Sequence, residues 1–225
     1  FQVVFKALEQ TLPESAGKEQ HMVYGWVHLK DGKMSSRTGK VVLGEWLLDE
    51  VKKRIIQITT GNELKNTEET VEKISVAAVK YSFLKTGVEH DIAFDMEESV
   101  SISGDSGPYL LYIVARIKSI FNKSKIKTLK SKIEIQTIER SEKMLMLDIA
   151  QFPEVVKNAA EMHDPSQVAQ YLFKLAQNFN SFYHSCPVLE AETDIRLYRL
   201  ELIKAVELVM TRGLYLLGVE VVEAM

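Results

Sequence analysis

Lys33, Ser35, Ser36 and Arg37 are the side chains of this sequence best equipped for chemistry. They stand within the heptapeptide Lys33-Met34-Ser35-Ser36-Arg37-Thr38-Gly39, bracketed by Gly32 and Gly39 and entered from an apolar run. Glycines permit tight backbone angles and close approach to a ligand. Amides and hydroxyls donate to phosphate oxygens, and a lysine and an arginine neutralise charge that moves during phosphoryl or nucleotidyl transfer. A triphosphate suits that donor set. The same composition also describes a solvated turn, so the heptapeptide alone leaves both readings open.

The remaining candidates are distributed by charge. A net charge of −3 argues against indiscriminate binding of polyanions. Locally the picture differs: Arg116, Lys118, Lys123, Lys125, Lys127, Lys130 and Lys132 follow one another without an acidic residue between them. Just upstream, Glu89, Asp91, Asp95, Glu97, Glu98 and Asp105 occur without a lysine or arginine between them. The basic run is either a solvated helix end or a phosphate-facing edge whose binding weakens steeply with salt. Glu97 and Glu98 read as an acidic helix start rather than a catalytic pair. His21, His28, His90, His163 and His184 lie at element ends without ligand spacing, and the single Cys186 excludes multi-thiolate sites, so no metal site is expected.

These residues need elements to hold them. Helical spacing over residues 2–12 sets Val4, Phe5 and Leu8 on one side and stops before Pro13. Residues 21–29, rich in β-branched and aromatic side chains, read as a buried strand that delivers the chain to Lys33. A helix over 45–60 aligns Leu48, Val51, Ile55 and Ile58 and stops at Gly61; another starts at a cap on Asn66 and runs through Val71, Ile74, Ala78 and Tyr81 to Gly87. In Gly104-Asp105-Ser106-Gly107-Pro108, Ser106 or Gly107 suits a cap and Pro108 a first turn, predicting a helix from Tyr109 to about Asn122. Helices are then expected over 141–150, 153–162, 165–185 and 194–217, with start signals at Asp164 and at Thr193 or Asp194.

At 225 residues and 46% apolar composition the chain suffices for one or two domains. No apolar run reaches the roughly 18 residues that span a bilayer, and no basic signal start precedes the first helix, which predicts a cytoplasmic protein without a membrane role. The opening without Met, inside an amphipathic pattern, reads as a fragment. The expected architecture is mainly α: the end of an α/β unit over 1–103, followed by a helical bundle over 104–225.

Three separated segments, in order, resemble one family. The strand followed by residues 31–39 resembles the KMSKS loop of class I aminoacyl-tRNA synthetases. Ala77-Ala78-Val79-Lys80-Tyr81 and Phe94-Asp95-Met96-Glu97-Glu98-Ser99 resemble the segment leading out of an arginyl-tRNA synthetase catalytic domain. Gly104-Asp105-Ser106-Gly107-Pro108-Tyr109-Leu110-Leu111-Tyr112, with Ala115-Arg116, is similar to the opening of that family's DALR anticodon-binding domain, and it is the most specific of the three. Phe179-Asn180-Ser181-Phe182-Tyr183-His184 and the terminal residues through Met225 resemble the family's end. The resemblance spans effectively the whole chain.

The resemblance implies the C-terminal part of an enzyme that activates arginine with ATP, accompanied by Mg2+, and esterifies tRNA(Arg). The end of a Rossmann-type catalytic domain would occupy 1–103 and the DALR-type bundle 104–225. No HIGH-like tetrapeptide is present, so the chain alone is expected to be inert. Lys33 would hold ATP phosphates with help from Ser35 and Ser36. The family's second lysine is replaced by Ser36, leaving Arg37 to supply the missing charge in a different geometry. Recognition of a splayed anticodon requires flat side chains and polar groups for base edges. Tyr109 at a helix start, Tyr183 near a helix end and Met225 at the terminus are expected to be exposed for that purpose. Arg116 and Lys118 would serve phosphates, and Asn180 and Gln177 base edges. A helical adaptor for a protein partner would use the same bundle but leaves the loop at Lys33 without a purpose. A DALR-type domain also occurs in the cysteine enzyme of the same class, which the Gly107-Pro108-Tyr109 opening disfavours.

Overall fold

The computed structural model describes residues 1–30, 43–59, 67–124 and 137–225. The heptapeptide 33–39, Gly61, the Asn66 cap and the lysines from 125 to 132 lie outside the described residues. The elements run α1 (Gln2–Thr11), a 3-10 turn (Pro13–Ser15), β1 (Val27–Leu29), α2 (Gly44–Thr59), α3 (Glu68–Leu84), β2 (Ile92–Phe94), α4 (Met96–Ser99), α5 (Gly107–Ser124), α6 (Arg140–Met162), α7 (Ser166–Ser185) and α8 (Thr193–Leu216). The expected mainly helical architecture with a small α/β remnant is therefore present. Its sheet is a parallel pair, with Val27, His28 and Leu29 opposite Ile92, Ala93 and Phe94.

The strand expected over 21–29 shrinks to its last three residues. A strand forms only where a neighbour exchanges ladder bonds with it, and β2 matches only Val27–Leu29. Upstream, Gly25 N–H donates to the Val88 carbonyl at 3.0 Å and Trp26 N–H to the Asp91 carboxylate at 2.7 Å, while Trp26 itself is 82% exposed. In α1 the apolar side that includes Val4 and Leu8 is exposed, and no residue of that helix is buried.

The helices meet in one continuous core that runs from Leu47 to Val222. In α2 the buried face is Leu47, Val51 and Ile55, shifted from the expected Leu48 and Ile58. α3 starts at a Thr67 cap, whose hydroxyl accepts from Thr70 N–H at 3.2 Å, and ends at Leu84 rather than Gly87. It lies between α2 and α5 and buries Val71, Ile74, Ala77, Ala78 and Tyr81. Apolar side chains on several faces of α5 are buried, Leu110, Leu111, Ile113, Val114 and Ile117 completely, which identifies it as the central helix of the bundle.

α6 is continuous through Pro153, where two helices were expected. Proline removes one backbone donor and ordinarily kinks a helix. Here the preceding turn is held from outside: Tyr171 hydroxyl on α7 donates to the Asp148 carbonyl at 2.7 Å, and the Phe152 ring stacks on Tyr171 with centroids 5.6 Å apart. The helix stops at His163, which takes a left-handed φ of 53°, while Asp164 N–H reaches back to the Ala159 carbonyl at 2.9 Å. Asp164 then accepts from Ser166 N–H at 3.1 Å to begin α7. After α8, Gly218 at φ 66° turns the chain back, and Val219 and Val222 bury against the core.

Candidate functional site

The heptapeptide's anchor is described even though the heptapeptide is not. Lys30, the last described residue before it, donates its backbone N–H to the Phe94 carbonyl at 2.9 Å and its ammonium to the Asp95 carboxylate at 2.7 Å. Asp95 also caps α4, accepting from Glu98 N–H at 3.1 Å. The Lys30 ammonium first, and the α4 amides next, hold the Asp95 carboxyl below its ordinary range. On one side of this anchor is an apolar cavity of about 280 Å³ lined by β1, the start of α2, Phe83 and Phe94.

The opening motif of the bundle is a joint. Ser106 hydroxyl accepts from Tyr109 N–H at 3.2 Å and donates to the Ser101 carbonyl, so Ser106 is the cap of α5. Gly107 lies against α3, where a Cβ would overlap the Ala77 carbonyl, which explains a glycine at this position. Asp105 accepts from the Tyr81 hydroxyl at 2.6 Å, and burial, reinforced by that carboxylate, pushes the Tyr81 phenol up. The sequence motif that carried the resemblance thus works by fastening α5 to α3.

The expected recognition residues fall into two groups. Arg116, Asn180, Tyr109 and Tyr183 form one network between α5 and α7. Arg116 donates to the Asn180 side-chain oxygen at 3.2 Å, and Asn180 donates in turn to the Tyr109 hydroxyl at 2.8 Å. The Arg116 guanidinium carbon lies 4.6 Å from the Tyr183 ring centroid, and Tyr183 stacks on Phe179. Lys118 stands apart, bound to the Glu223 carboxylate at 2.6 Å and the Val222 carbonyl at 3.3 Å, so it clamps the C-terminal tail. Met225 belongs to that tail and is half-buried against the core.

Two expectations of exposure are corrected. Tyr109 is 7% exposed because the first turn of α5 is wedged against α3 and its ring meets Phe173 edge-on; burial pushes its phenol up, while Asn180 and Arg116 act in the opposite direction. Met225 is drawn inward with Val219 and Val222. Tyr183 is half-buried and Gln177 exposed. Sequence reasoning missed the buried acids of α6. Glu142 pairs with Arg199 at 2.7 Å, and Asp148 accepts from Asn178 at 2.6 Å. Their only signal was an acidic residue on a face otherwise destined for the core. His21, His90 and His163 line one cleft of about 370 Å³, and among the described residues no group of three His, Cys, Asp or Glu side chains is arranged to hold a metal.

The arrangement sets one guanidinium beside aromatic rings between α5 and α7, and separately fixes Lys30 on Asp95 at the end of β1. Comparison with known proteins agrees in order and extent. The profile described as "tRNA synthetases class I (R), catalytic domain" matches residues 1–96, and that described as "DALR anticodon binding domain" matches residues 110–225. The arginine–tRNA ligase of Clostridium beijerinckii is 38% identical over all of this chain and 40% of its own length. That of Ignicoccus hospitalis is 38% identical over 89% of this chain and 32% of its own length. The solved Thermus thermophilus arginyl-tRNA synthetase superposes with a TM-score of 0.87 at 31% identity, over 99% of this chain and 38% of its own. The chain thus spans about two fifths or less of the length of these relatives.

Proposed function

The chain belongs to the arginyl-tRNA synthetase family, and from that premise we propose that it is the C-terminal part of an arginine–tRNA ligase. The whole enzyme activates arginine with Mg·ATP as substrate and transfers it to tRNA(Arg), in the cytoplasm where proteins are made. The observation that carries this reading is the order of the two profile matches, catalytic then anticodon-binding, within one chain. In this division residues 1–103 complete the catalytic domain and residues 104–225 bind the anticodon arm. The isolated chain is inert because the HIGH-bearing half is absent from it.

Each assigned residue has a physical task. Lys33 neutralises the triphosphate as charge develops on the leaving pyrophosphate, and Arg37 supplies the charge that the family's second lysine would have supplied. Ser35 and Ser36 donate hydroxyls to phosphate oxygens. In the bundle, Arg116 and Tyr183 present a guanidinium plane and a phenol ring together, a combination on which a splayed base stacks. Asn180 orients Arg116, and Tyr109 holds Asn180 from below. Lys118 acts through the tail that carries Met225, by holding Val222 and Glu223.

The test uses the full-length enzyme. Lys33→Ala is expected to slow arginine-dependent ATP–pyrophosphate exchange by about tenfold or more, the scale of losing one charge-stabilising donor. Its tRNA dissociation constant should stay within about twofold, since Lys33 makes no contact with the anticodon arm in this reading. Equal loss of both removes the role assigned to Lys33. Robust exchange by the isolated 225-residue chain would overturn the division of labour itself.

A further inference from the structure

A groove of about 360 Å³ lies between the start of α6 and the end of α7, within the range of roughly 300–1,000 Å³ that holds small ligands. Helical spacing puts Arg140 and Met144 of α6 on one wall and Asn178, Ser181 and Ser185 of α7 on the other. Beneath them the Ser141 hydroxyl is 3.2 Å from that of Ser185 and 3.3 Å from the buried Cys186 thiol. Arg140, Met144, Ser181 and Ser185 are exposed, so the groove is open to solvent. Its walls are fixed from behind. Glu142, 2% exposed, accepts from the Glu139 N–H and from Arg199 of α8, both at 2.7 Å, and Arg199 also donates to the Pro187 carbonyl at 2.6 Å. One buried carboxylate thereby ties the start of α6 to the chain just past α7.

The lining selects its ligand. Ser181 donates its proton to the Gln177 carbonyl at 3.1 Å and Ser185 to the Ser181 carbonyl at 2.9 Å. Each hydroxyl oxygen keeps lone pairs, so the α7 wall accepts hydrogen bonds and suits an amine. The α6 wall supplies a guanidinium plane and a polarizable thioether, both suited to the face of an aromatic ring. We propose that this groove takes an unpaired adenine, cytosine or guanine from the anticodon loop of the tRNA, its exocyclic amine on Ser181 and Ser185 and its ring against Arg140 and Met144. The inference rests on the reading of the bundle as the anticodon-binding domain. At 3.6 residues per turn, Asn178, Ser181 and Ser185 lie on the side of α7 opposite Asn180 and Tyr183, so the groove is a second subsite, separate from the Arg116 network. A helix is about 10–12 Å across with its side chains, and a single strand rounding the end of α7 reaches both sides.

The test uses the full-length enzyme and tRNA(Arg) transcripts at one salt concentration, because affinities for RNA shift with salt. Ser181→Leu fills the groove from an exposed position and is expected to raise the tRNA dissociation constant by about tenfold, the scale of losing one stacked base. Transcripts made abasic at single anticodon-loop positions identify the base. At one position the abasic transcript should bind the parent about tenfold more weakly than the intact one, yet bind Ser181→Leu as well as the intact one does, since the base is already expelled. Uracil at that position should weaken binding to the parent by about threefold or more and leave Ser181→Leu unchanged, because uracil presents no amine. Additive losses at every loop position would overturn the proposal, as would unchanged tRNA affinity in Ser181→Leu. If a lowered urea midpoint shows that Ser181→Leu disturbs the bundle, Met144→Ala takes its place, removing ring contact without adding bulk. Arg116→Ala is run beside them. If it weakens tRNA binding and the groove variant does not, the second subsite fails and the anticodon reading stands; if neither weakens it, both fail.

Discussion

Asp95 combines two tasks in one carboxylate, capping α4 with one oxygen and holding Lys30 with the other. Because both partners favour its charged form, its folded-state pKa lies below the unfolded value of about 4. The stabilisation it supplies is therefore fully present above that value and is lost as pH falls through the folded pKa. Urea midpoints measured between pH 6 and pH 3 should show a smaller acid decline for Asp95→Asn than for the parent, about a few tenths to one kcal/mol in difference for an exposed pair plus its cap. Identical pH slopes would remove the interaction from the account. Among the recognition candidates, Arg116→Ala should weaken tRNA binding and lower its salt dependence, whereas Asn180→Ala should weaken binding with the salt slope unchanged, since it removes no cation. The residue types that make these positions candidates were legible in the sequence. The burial of Tyr109 was not, because a helix start seen alone looks exposed until the neighbouring helix that covers it is known.

At the scale of elements, the contact between α5 and α3 depends on Gly107 having no side chain. Gly107→Ala is expected to destabilise the protein by about 1–3 kcal/mol or more, since backbone rather than a flexible side chain stands in the way. A lowered urea midpoint with an unchanged slope would register it, and an unchanged midpoint would show that the helices separate freely. Phe179, fully buried beneath Tyr183, is a conventional core position, and Phe179→Ala should cost about 3–5 kcal/mol. The helices α5, α7 and α8 follow from periodicity and from start signals such as Ser106 and Asp164. α6 did not, because Pro153 is a breaker by every local rule and is overruled by Tyr171 and Phe152, which brace the turn before it. The strand over 21–29 failed for the opposite reason: its composition favours β structure, but among the described residues only Val27–Leu29 pairs with another strand.

Over the whole molecule, exposed apolar surface is unevenly distributed. Phe1, Val3, Tyr24 and Trp26 are 72%, 83%, 80% and 82% exposed, whereas from α5 onward a buried core coexists with scattered exposed side chains such as Met162, Leu208 and Tyr215. Parallel strands are ordinarily covered on both faces, so the β1–β2 pair and α1 present a surface suited to further packing. The isolated chain is expected to show red-shifted tryptophan emission that iodide quenches readily, with Trp26→Phe removing most of the quenchable signal, since Trp46 is the less exposed of the two. Blue-shifted, unquenched emission would contradict that distribution. Family membership and the mainly helical character were determined by the sequence alone, because they depend on residue type, period and the order of short motifs. The structure decided what those motifs do. Gly107, Asp105 and Tyr81 form a joint, Tyr109 turns inward and Lys118 clamps the tail, because each outcome depends on which distant element arrives beside the residue, and local spacing carries no record of that.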